Sequence, residues 1–240
     1  MNIKGYKAFD QDFKCRGYQF EVGKTYTHSG ELIMCQSGFH FCIVPIQCDH
    51  YYRYTKNTRY AEILATNKVL YDGDKCITSE ITIVREITRD EIVTLSTGCF
   101  KFSNREEQWL NGKRHCQNGP AIMDKDGREE WWLNGQVHRQ DGPAIKYIDG
   151  SEWWYLNDQL HREDGPALTY SNIWQRWFLN GQLHRKEGPA MIYPNGEEWY
   201  LNGKRHRQDG PAIKNIYGRE EWWKNGVKVD EPLKMHPVEK

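Results

Sequence analysis

Residues 130–144 read EWWLNGQVHRQDGPA, and variants of this stretch recur five more times between residues 104 and 228. The Asn residues of the Leu-Asn-Gly triplet or its variants are 23, 23, 23, 22 and 23 residues apart, at Asn111, Asn134, Asn157, Asn180, Asn202 and Asn225. A His follows each of the first five by four residues, and Gly-Pro-Ala closes each of those five units. Such a period identifies an array of five full repeats and a partial sixth.

Each unit carries two turn signals. Asn-Gly between apolar runs is typical of a two-residue type I′ hairpin turn, in which both central residues need a positive φ. The aromatic run before Asn134 is strand-prone, and Gln136–Arg139 is expected to return antiparallel. Asp141-Gly142-Pro143 predicts a second turn before the extended segment Ala144–Ile148. The pattern predicts a meandering antiparallel sheet in which each unit contacts mainly its neighbours.

The two-residue turn fixes which side chains share a face. The Leu before Asn pairs with the residue after Gly, and the residue three before Asn pairs with the His. One face is therefore predicted to carry the Leu residues, the His column (His115, His138, His161, His184, His206) and the first aromatic column (Trp131, Trp154, Trp177, Trp199, Trp222). The opposite face carries the second aromatic column: Trp109, Trp132, Tyr155, Phe178, Tyr200, Trp223.

Both faces are thus apolar, which is more than a sheet with one buried side needs. We expect one aromatic column to pack inside. The other is either covered, by the N-terminal domain or a second copy, or left as a binding surface. The alternative that both columns are core stays open, and the eleven aromatic residues are the candidate binding residues.

The His column is predicted to be structural. Equivalent residues of successive hairpins lie about 10 Å apart, whereas zinc ligands all lie about 2 Å from one ion. We expect each His to satisfy a turn carbonyl or a nearby carboxylate. The Arg column, Arg139, Arg162, Arg185 and Arg207, is expected to form ion pairs with the acids of the second turn, each contributing about 0–1 kcal/mol. No catalytic residue, metal ligand or cofactor is predicted.

Residues 1–98 show no repeat and predict a small α+β domain. Expected strands are Tyr18–Val22, Leu32–Cys35, Gly38–Cys42, Ala61–Leu64 and Ile77–Ile87, with a short helix over Pro45–Tyr54 that Pro begins. The array then covers 104–228, and 229–240 is predicted to be a mobile tail. The fold class is mainly β: this domain followed by an elongated array of antiparallel β-hairpin repeats.

The amino-acid composition disfavours some classes of function. Lys plus Arg equals Asp plus Glu at 33 each, which disfavours nucleic acid, because such binders usually carry a basic surplus. No apolar stretch reaches the roughly 18 residues of a membrane span. Seven Cys without a CxxC pair favour reduced thiols and a cytoplasmic location. A zinc site among Cys15, Cys35, Cys42, Cys48, Cys76, His40 and His50 matches no familiar spacing, so buried thiols are the preferred interpretation.

Two resemblances extend this interpretation. The motif of Trp132-Leu133-Asn134-Gly135 followed by His138–Ala144 resembles a variant of MORN-type repeats, which implies an elongated β-array that binds partners. The string Cys15–Tyr26 followed by Cys35–Cys42 resembles an uncharacterised domain of bacteriophage and prophage proteins, over about residues 4–88. That resemblance implies a phage-type setting, with the host cytoplasm as the location, and no particular activity.

The leading hypothesis is a non-enzymatic protein-binding module that binds, and in a phage setting inhibits, a host (defence) protein through the array. A first alternative is an enzyme: Gly38–Phe41 and the region of Tyr51-Tyr52 resemble segments of ADP-ribosyltransferases, with His40, Tyr52 and either Glu80 or Glu62 as the site. A second alternative is a nucleic-acid or nucleotide binder that stacks bases on Trp. Self-association through an unpaired last strand also stays open, because an edge strand can pair with another chain.

Overall fold

The structure is a computed structural model that describes residues 2–51, 55–73, 75–171 and 173–231. The predicted mobile tail lies outside the described residues from position 232 onward. The chain divides into two compact units, with the division between Lys125 and Asp126. Described strands are antiparallel and far outnumber helices, so the mainly β fold class with an array of hairpins is confirmed. The sequence-based limits 1–98 and 104–228 stay predictions, and the first repeat belongs to the first unit.

The first unit contains eleven described strands and two short α-helices. They are β1 Ile3–Phe9, β2 Lys14–Cys15, β3 Tyr18–Gln19, β4 Thr25–Thr27, β5 Phe39–Cys42, α1 Cys48–Tyr51, β6 Arg59–Asp72, β7 Lys75–Ile87, α2 Arg89–Leu95, β8 Gly98–Lys101, β9 Arg105–Leu110, β10 Lys113–Arg114 and β11 Ile122–Asp124.

A five-stranded sheet organises this unit. Its order is β4-β7-β5-β1-β6, and β6 also pairs with β7, so the sheet closes on itself. Apolar side chains that alternate along the long β6–β7 hairpin point into the closed sheet. They meet Phe9, Phe20 and Phe39 in a core in which Ile63 and Ile81 have no exposed surface. Aromatic residues in or directly beside β1, β3 and β5 therefore form much of this core.

The N-terminal predictions were partly right. Strands at Gly38–Cys42 and Ile77–Ile87 are confirmed as β5 and β7. Tyr18–Val22 shortens to two strand residues, and the strand at Leu32–Cys35 was wrong, since only an isolated bridge between Ile33 and Ser37 forms there. The predicted helix begins as a 3₁₀ turn at Pro45 and continues as α1, and its last three positions, 52–54, lie outside the described residues.

The second unit contains eighteen described strands: β12 Glu129–Glu130, β13 Trp132–Leu133, β14 Gln136–Val137, β15 Ile145–Lys146, β16 Glu152–Trp153, β17 Tyr155–Leu156, β18 Gln159–Leu160, β19 Leu168–Tyr170, β20 Trp174–Arg176, β21 Phe178–Leu179, β22 Gln182–Leu183, β23 Met191–Tyr193, β24 Gly196–Glu198, β25 Tyr200–Leu201, β26 Lys204–Arg205, β27 Ile213–Asn215, β28 Glu220–Lys224 and β29 Val227–Val229.

These strands form two kinds of pairing. β12, β15, β16, β19, β20, β23, β24, β27, β28 and β29 pair in that order in one ladder. Four Asn-Gly-type hairpins, β13–β14, β17–β18, β21–β22 and β25–β26, form separate two-stranded ribbons. The expected single meander was therefore wrong in this detail. The cause is a break in the strand at the first Trp of the four repeats that form these ribbons, at Trp131, Trp154, Trp177 and Trp199.

That Trp is the pivot between ladder and ribbon. The backbone N–H of Trp131 donates to the carbonyl of Ala144 in the ladder at 2.7 Å, and its carbonyl accepts from His138 in the ribbon at 3.0 Å. Trp154, Trp177 and Trp199 repeat both bonds. The Ala partners have no exposed surface, so the Gly-Pro-Ala segment supplies a side chain small enough for this close crossing.

The predicted turn register is confirmed within each ribbon. Trp132 pairs with Val137 and Leu133 with Gln136, and the same offsets recur at every Asn-Gly-type turn. The six turn Asn residues have φ between 48° and 53°, and the residue after each also has a positive φ. Asp158 replaces Gly in one turn with φ 63°, and its carboxylate accepts the N–H of Val137 at 2.8 Å.

Candidate functional site

Four of the five Trp residues in the first aromatic column, all but Trp222, lie under the Arg column. The guanidinium carbon of Arg139 is 4.1 Å from the ring centre of Trp131, and the matching distances are 3.9 Å for Arg162 on Trp154, 3.9 Å for Arg185 on Trp177 and 4.0 Å for Arg207 on Trp199. A cation over an indole face is attracted by the ring quadrupole, by about 0.5–1 kcal/mol at exposed sites. The four Trp rings are therefore half-buried beneath a charged cover.

The Arg residues have two further partners. Arg162 donates to the carbonyl of Pro166 at 3.4 Å and lies 2.9 Å from the carboxylate of Asp164. The predicted ion pairs also form at Arg139 and Arg207, but their Asp partners are 81–90% exposed, so these pairs contribute little. The indole contact and the Pro carbonyl hold each guanidinium, and the sequence analysis missed the indole contact.

The Gly of Gly-Pro-Ala makes room for this cover. A methyl group on Gly165 would lie 2.7 Å from the guanidinium carbon of Arg162, and Gly142 meets Arg139 at the same distance. In the first repeat Cys116 takes the place of the Arg, and a methyl group on Gly119 would meet only its sulfur, at 3.8 Å. A larger residue in place of the Gly would therefore have to displace the Arg side chain.

The His column joins neighbouring repeats. The Nδ1 atom of His138 lies 2.8 Å from Oδ1 of Asn157, and the backbone N–H of Asn157 donates to the same nitrogen at 3.3 Å. His161 contacts Asn180 and His184 contacts Asn202 in the same way, and His206 accepts from the N–H of Asn225 at 3.1 Å. Each His thus binds the turn Asn of the next repeat, where the sequence analysis expected a turn carbonyl or an acid.

Two grooves lie between successive repeats of the second unit. One, of about 390 Å³, is lined by Trp154, Leu156 and His161 together with Arg139, Arg162 and the acids beside them. The next, of about 580 Å³, is lined by Trp177, Leu179 and His184 together with Arg162, Arg185 and their acids. The structure thus brings together the Leu, His and first Trp positions that the register placed on one face.

The second aromatic column is engaged within its own repeat. The indole N–H of Trp132 donates to Glu130 at 2.8 Å, Trp223 donates to Glu221 at 3.0 Å, and the Tyr200 hydroxyl donates to Glu198 at 2.9 Å. In the first unit Trp109 is buried and donates to the fully buried Glu107. Trp132, Tyr155, Phe178, Tyr200 and Trp223 are all half-buried. Their assignment as binding residues stays a prediction.

Apolar side chains are most exposed at the ladder turns, which the sequence analysis did not single out. Ile148 is 80% exposed, Tyr217 77% and Ile216 69%. Each lies in or next to an Asp-Gly or Tyr-Gly turn. An apolar residue at a turn signal was the sequence feature that could have predicted this exposure.

The first unit contains a cavity of about 460 Å³ that includes His40. The backbone N–H of Cys35 donates to Nε2 of His40 at 2.8 Å. Of the proposed transferase residues, Glu62 and Glu80 are absent from the described lining, Glu80 accepts a hydrogen bond from Thr66, and Tyr52 lies outside the described residues. The structure does not bring these acids to His40.

Burial lowers the pKa of His40 most, and three nearby cations lower it further, so that it falls from its ordinary 6.5 to about 4. The cations belong to Arg16, Lys7 and Lys75, all of which line the cavity. The imidazole is therefore neutral at pH 7 and accepts the Cys35 N–H bond.

Within the described ranges, no three His, Cys, Asp or Glu side chains lie close enough together to hold a metal ion. No described helix has the length and apolar character needed to cross a bilayer.

Comparison with known proteins adds one match. Residues 3–95 match the model of a family described as "Domain of unknown function (DUF7666)". A search of curated proteins found no significant match. The match covers β1 to α2, which includes the strands that line the cavity, and the repeat array lies outside it.

Substitution of Gly165 tests whether the stacking of Arg162 on Trp154 stabilises the array. We expect Gly165→Ala to force Arg162 off Trp154 and to lower the free energy of unfolding by about 1 kcal/mol, the sum of a weakened cation–π contact and hydrogen bond. Gly119→Ala, whose methyl group meets no Arg, should stay within about 0.5 kcal/mol. Urea denaturation measures both. In an Arg162→Met background the Gly165 penalty should vanish, and an unchanged penalty there would contradict the assignment.

The lowered pKa of His40 predicts that the stability of the fold depends on pH. Between pH 6.5 and 4 the unfolded chain binds a proton at His40 that the folded chain does not, so stability falls as the pH falls through this range. We expect His40→Gln, whose amide oxygen can still accept the Cys35 N–H bond, to have a melting temperature that varies less over this range. Thermal melts at matched pH values measure the difference. Parallel curves for the two proteins would show that His40 does not titrate as described.

Proposed function

We propose that the repeat array is a protein-binding module and that its grooves are the binding surface. The observation that carries this proposal is the recurrence of one groove between successive repeats, built each time from the same Trp, Leu, His and Arg positions. A surface repeated in register suits an extended partner, because neighbouring repeats lie about 10 Å apart, the length of about three extended residues.

The chemistry of the groove supports a protein partner. Trp154 and Leu156 supply apolar surface at the floor of one groove, and Trp177 and Leu179 do so in the next. The Arg side chains over the Trp rings and the acids beside them make the rim charged. Interfaces share this anatomy of an apolar centre within a polar rim, and Trp and Arg are enriched among the residues that contribute most to binding. Opposite charges alternate at the rim, which favours a partner with mixed charge over a polyanion.

The biological setting rests on resemblance. The similarity of the N-terminal region to phage and prophage proteins, and of the array to a MORN-type variant, supports a phage-encoded protein that acts in the host cytoplasm. Its partner would then be a host protein, and binding would inhibit that protein, in keeping with a defence factor as the target. This role needs neither a cofactor nor catalysis by the array.

Paired substitutions test the groove. We expect Leu179→Glu to abolish co-purification of the partner from the natural host, because it places a charge on the apolar floor. Rim variants that leave the floor intact, Glu163→Lys and Lys186→Glu, should weaken capture about tenfold, which corresponds to about 1.4 kcal/mol. Quantitative mass spectrometry of tagged protein measures the loss, and melting curves identify any variant that fails to fold.

The matched controls are Ile148→Glu and Ile216→Glu at the ladder turns, outside both groove linings. They should capture as much partner as the unaltered chain. Loss of the partner in these controls, with full retention in the groove variants, would place the interface at the ladder turns and contradict the proposal. If the main captured species is a second copy of this chain, the array mediates self-association, and the proposal of a host protein as partner is wrong.

A further inference from the structure

The cavity of the first unit collects positive charge around one short segment, residues 35–40. Lys7 donates from Nζ to the carbonyl of His40 at 2.8 Å, and Arg16 donates to the carbonyl of Cys35 at 2.8 Å. Lys75 Nζ lies 3.6 Å from the Cys35 sulfur. None of the described residues that line the cavity is Asp or Glu. Three cations thus face one cavity without a described carboxylate in its wall.

Of the three cations, Lys7 points most directly to an anion in the cavity. It is 6% exposed, and no described carboxylate lies within ion-pair distance of its ammonium group, whose described contacts are the His40 carbonyl and the rings of Phe9 and Phe20. A buried charge is costly unless an opposite charge or several hydrogen bonds compensate for it. An anion in the cavity would supply the opposite charge.

The cavity also offers flat apolar walls. Tyr18 is half-exposed and lies edge-on to Phe39 with ring centres 5.7 Å apart. Tyr51 is half-exposed on the lining as well, and Lys75 lies over its ring at 4.4 Å. A volume of about 460 Å³ is within the usual range of small-molecule sites, which combine aromatic walls with a few polar groups.

We propose that this cavity binds a small molecule that joins a flat ring to a dianionic phosphate, of the nucleoside monophosphate class. Lys7, Arg16 and Lys75 hold the phosphate, and the tyrosines at the mouth contact the ring. Three cations match a dianion better than a single carboxylate. Burial lowers the pKa of His40 most, and the further lowering by Arg16, Lys7 and Lys75 agrees with this positive surrounding. The inference concerns the first unit alone and does not depend on the groove proposal.

Cysteine alkylation tests the site in the full chain. Cys35 lines the cavity and is exposed, whereas Cys99, which is also exposed, lies outside the lining. We expect AMP, GMP, CMP or UMP at about 1 mM to slow iodoacetamide labelling of Cys35 at least about fivefold, which corresponds to a Kd of about 0.25 mM or lower, and to leave Cys99 unchanged. Peptide mass spectrometry reads both rates in one sample.

Variants and partial ligands complete the test. Arg16→Gln and Lys75→Gln should each raise the nucleotide concentration for half-protection about tenfold, the effect of losing about 1.4 kcal/mol of binding, and Lys68→Gln, an exposed Lys outside the lining, should not. Adenosine alone and inorganic phosphate alone should protect less than any nucleotide that binds. The proposal is overturned if none of the four nucleotides protects Cys35, if phosphate alone protects equally well, or if the Arg16 and Lys75 variants bind normally.

Discussion

The hydrogen bond from the turn Asn of one repeat to the His of the repeat before it is the contact on which the array depends. A ribbon with two residues in each strand is too short to be stable alone, so it must gain its stability from neighbours. The bond at Asn180 and His161 is one of four that fix where the next ribbon lies. Backbone bonds then follow, such as Arg162 N–H to the Phe178 carbonyl at 3.0 Å.

The grooves involve the same His residues. His161 binds Asn180 of the next repeat, and it also lines a groove beside Leu156 of its own ribbon, which Arg139 and Asp141 of the preceding repeat complete. The Trp at the pivot becomes the floor, since its backbone is held by the ladder on one side and the ribbon on the other. The Arg that follows the His can then lie over that Trp. The His and Trp residues that hold the array together therefore also line its grooves.

Much of the array could be predicted from the sequence because its geometry is local. Asn134-Gly135 requires positive φ at both positions, and that requirement alone fixes the pairing of Trp132 with Val137. The break at Trp131 could not be predicted, because it depends on the carbonyl of Ala144, thirteen residues away. The Arg cover was missed because spacing in sequence does not show that Gly165 leaves room for Arg162.

The N-terminal region was harder to predict because its contacts are long-range. Lys7 and His40 are 33 residues apart, and only His40 was expected at a site, through the resemblance of Gly38–Phe41 to ADP-ribosyltransferases. Helix α2 could have been predicted, because Thr88 and Glu91 have the spacing of a capping box and form one. The helix was not predicted, although its capping box directly follows the alternating strand pattern that ends at Ile87.

Amide hydrogen exchange at the turn Asn residues tests the central contact most directly. In His161→Ala, the account predicts that the Asn180 amide exchanges about five- to tenfold faster, the effect of losing a hydrogen bond of about 1 kcal/mol. The amides of Asn202 and Asn225, which bind His184 and His206, should keep their protection. Unchanged exchange at Asn180 would contradict the claim that His161 holds the next repeat.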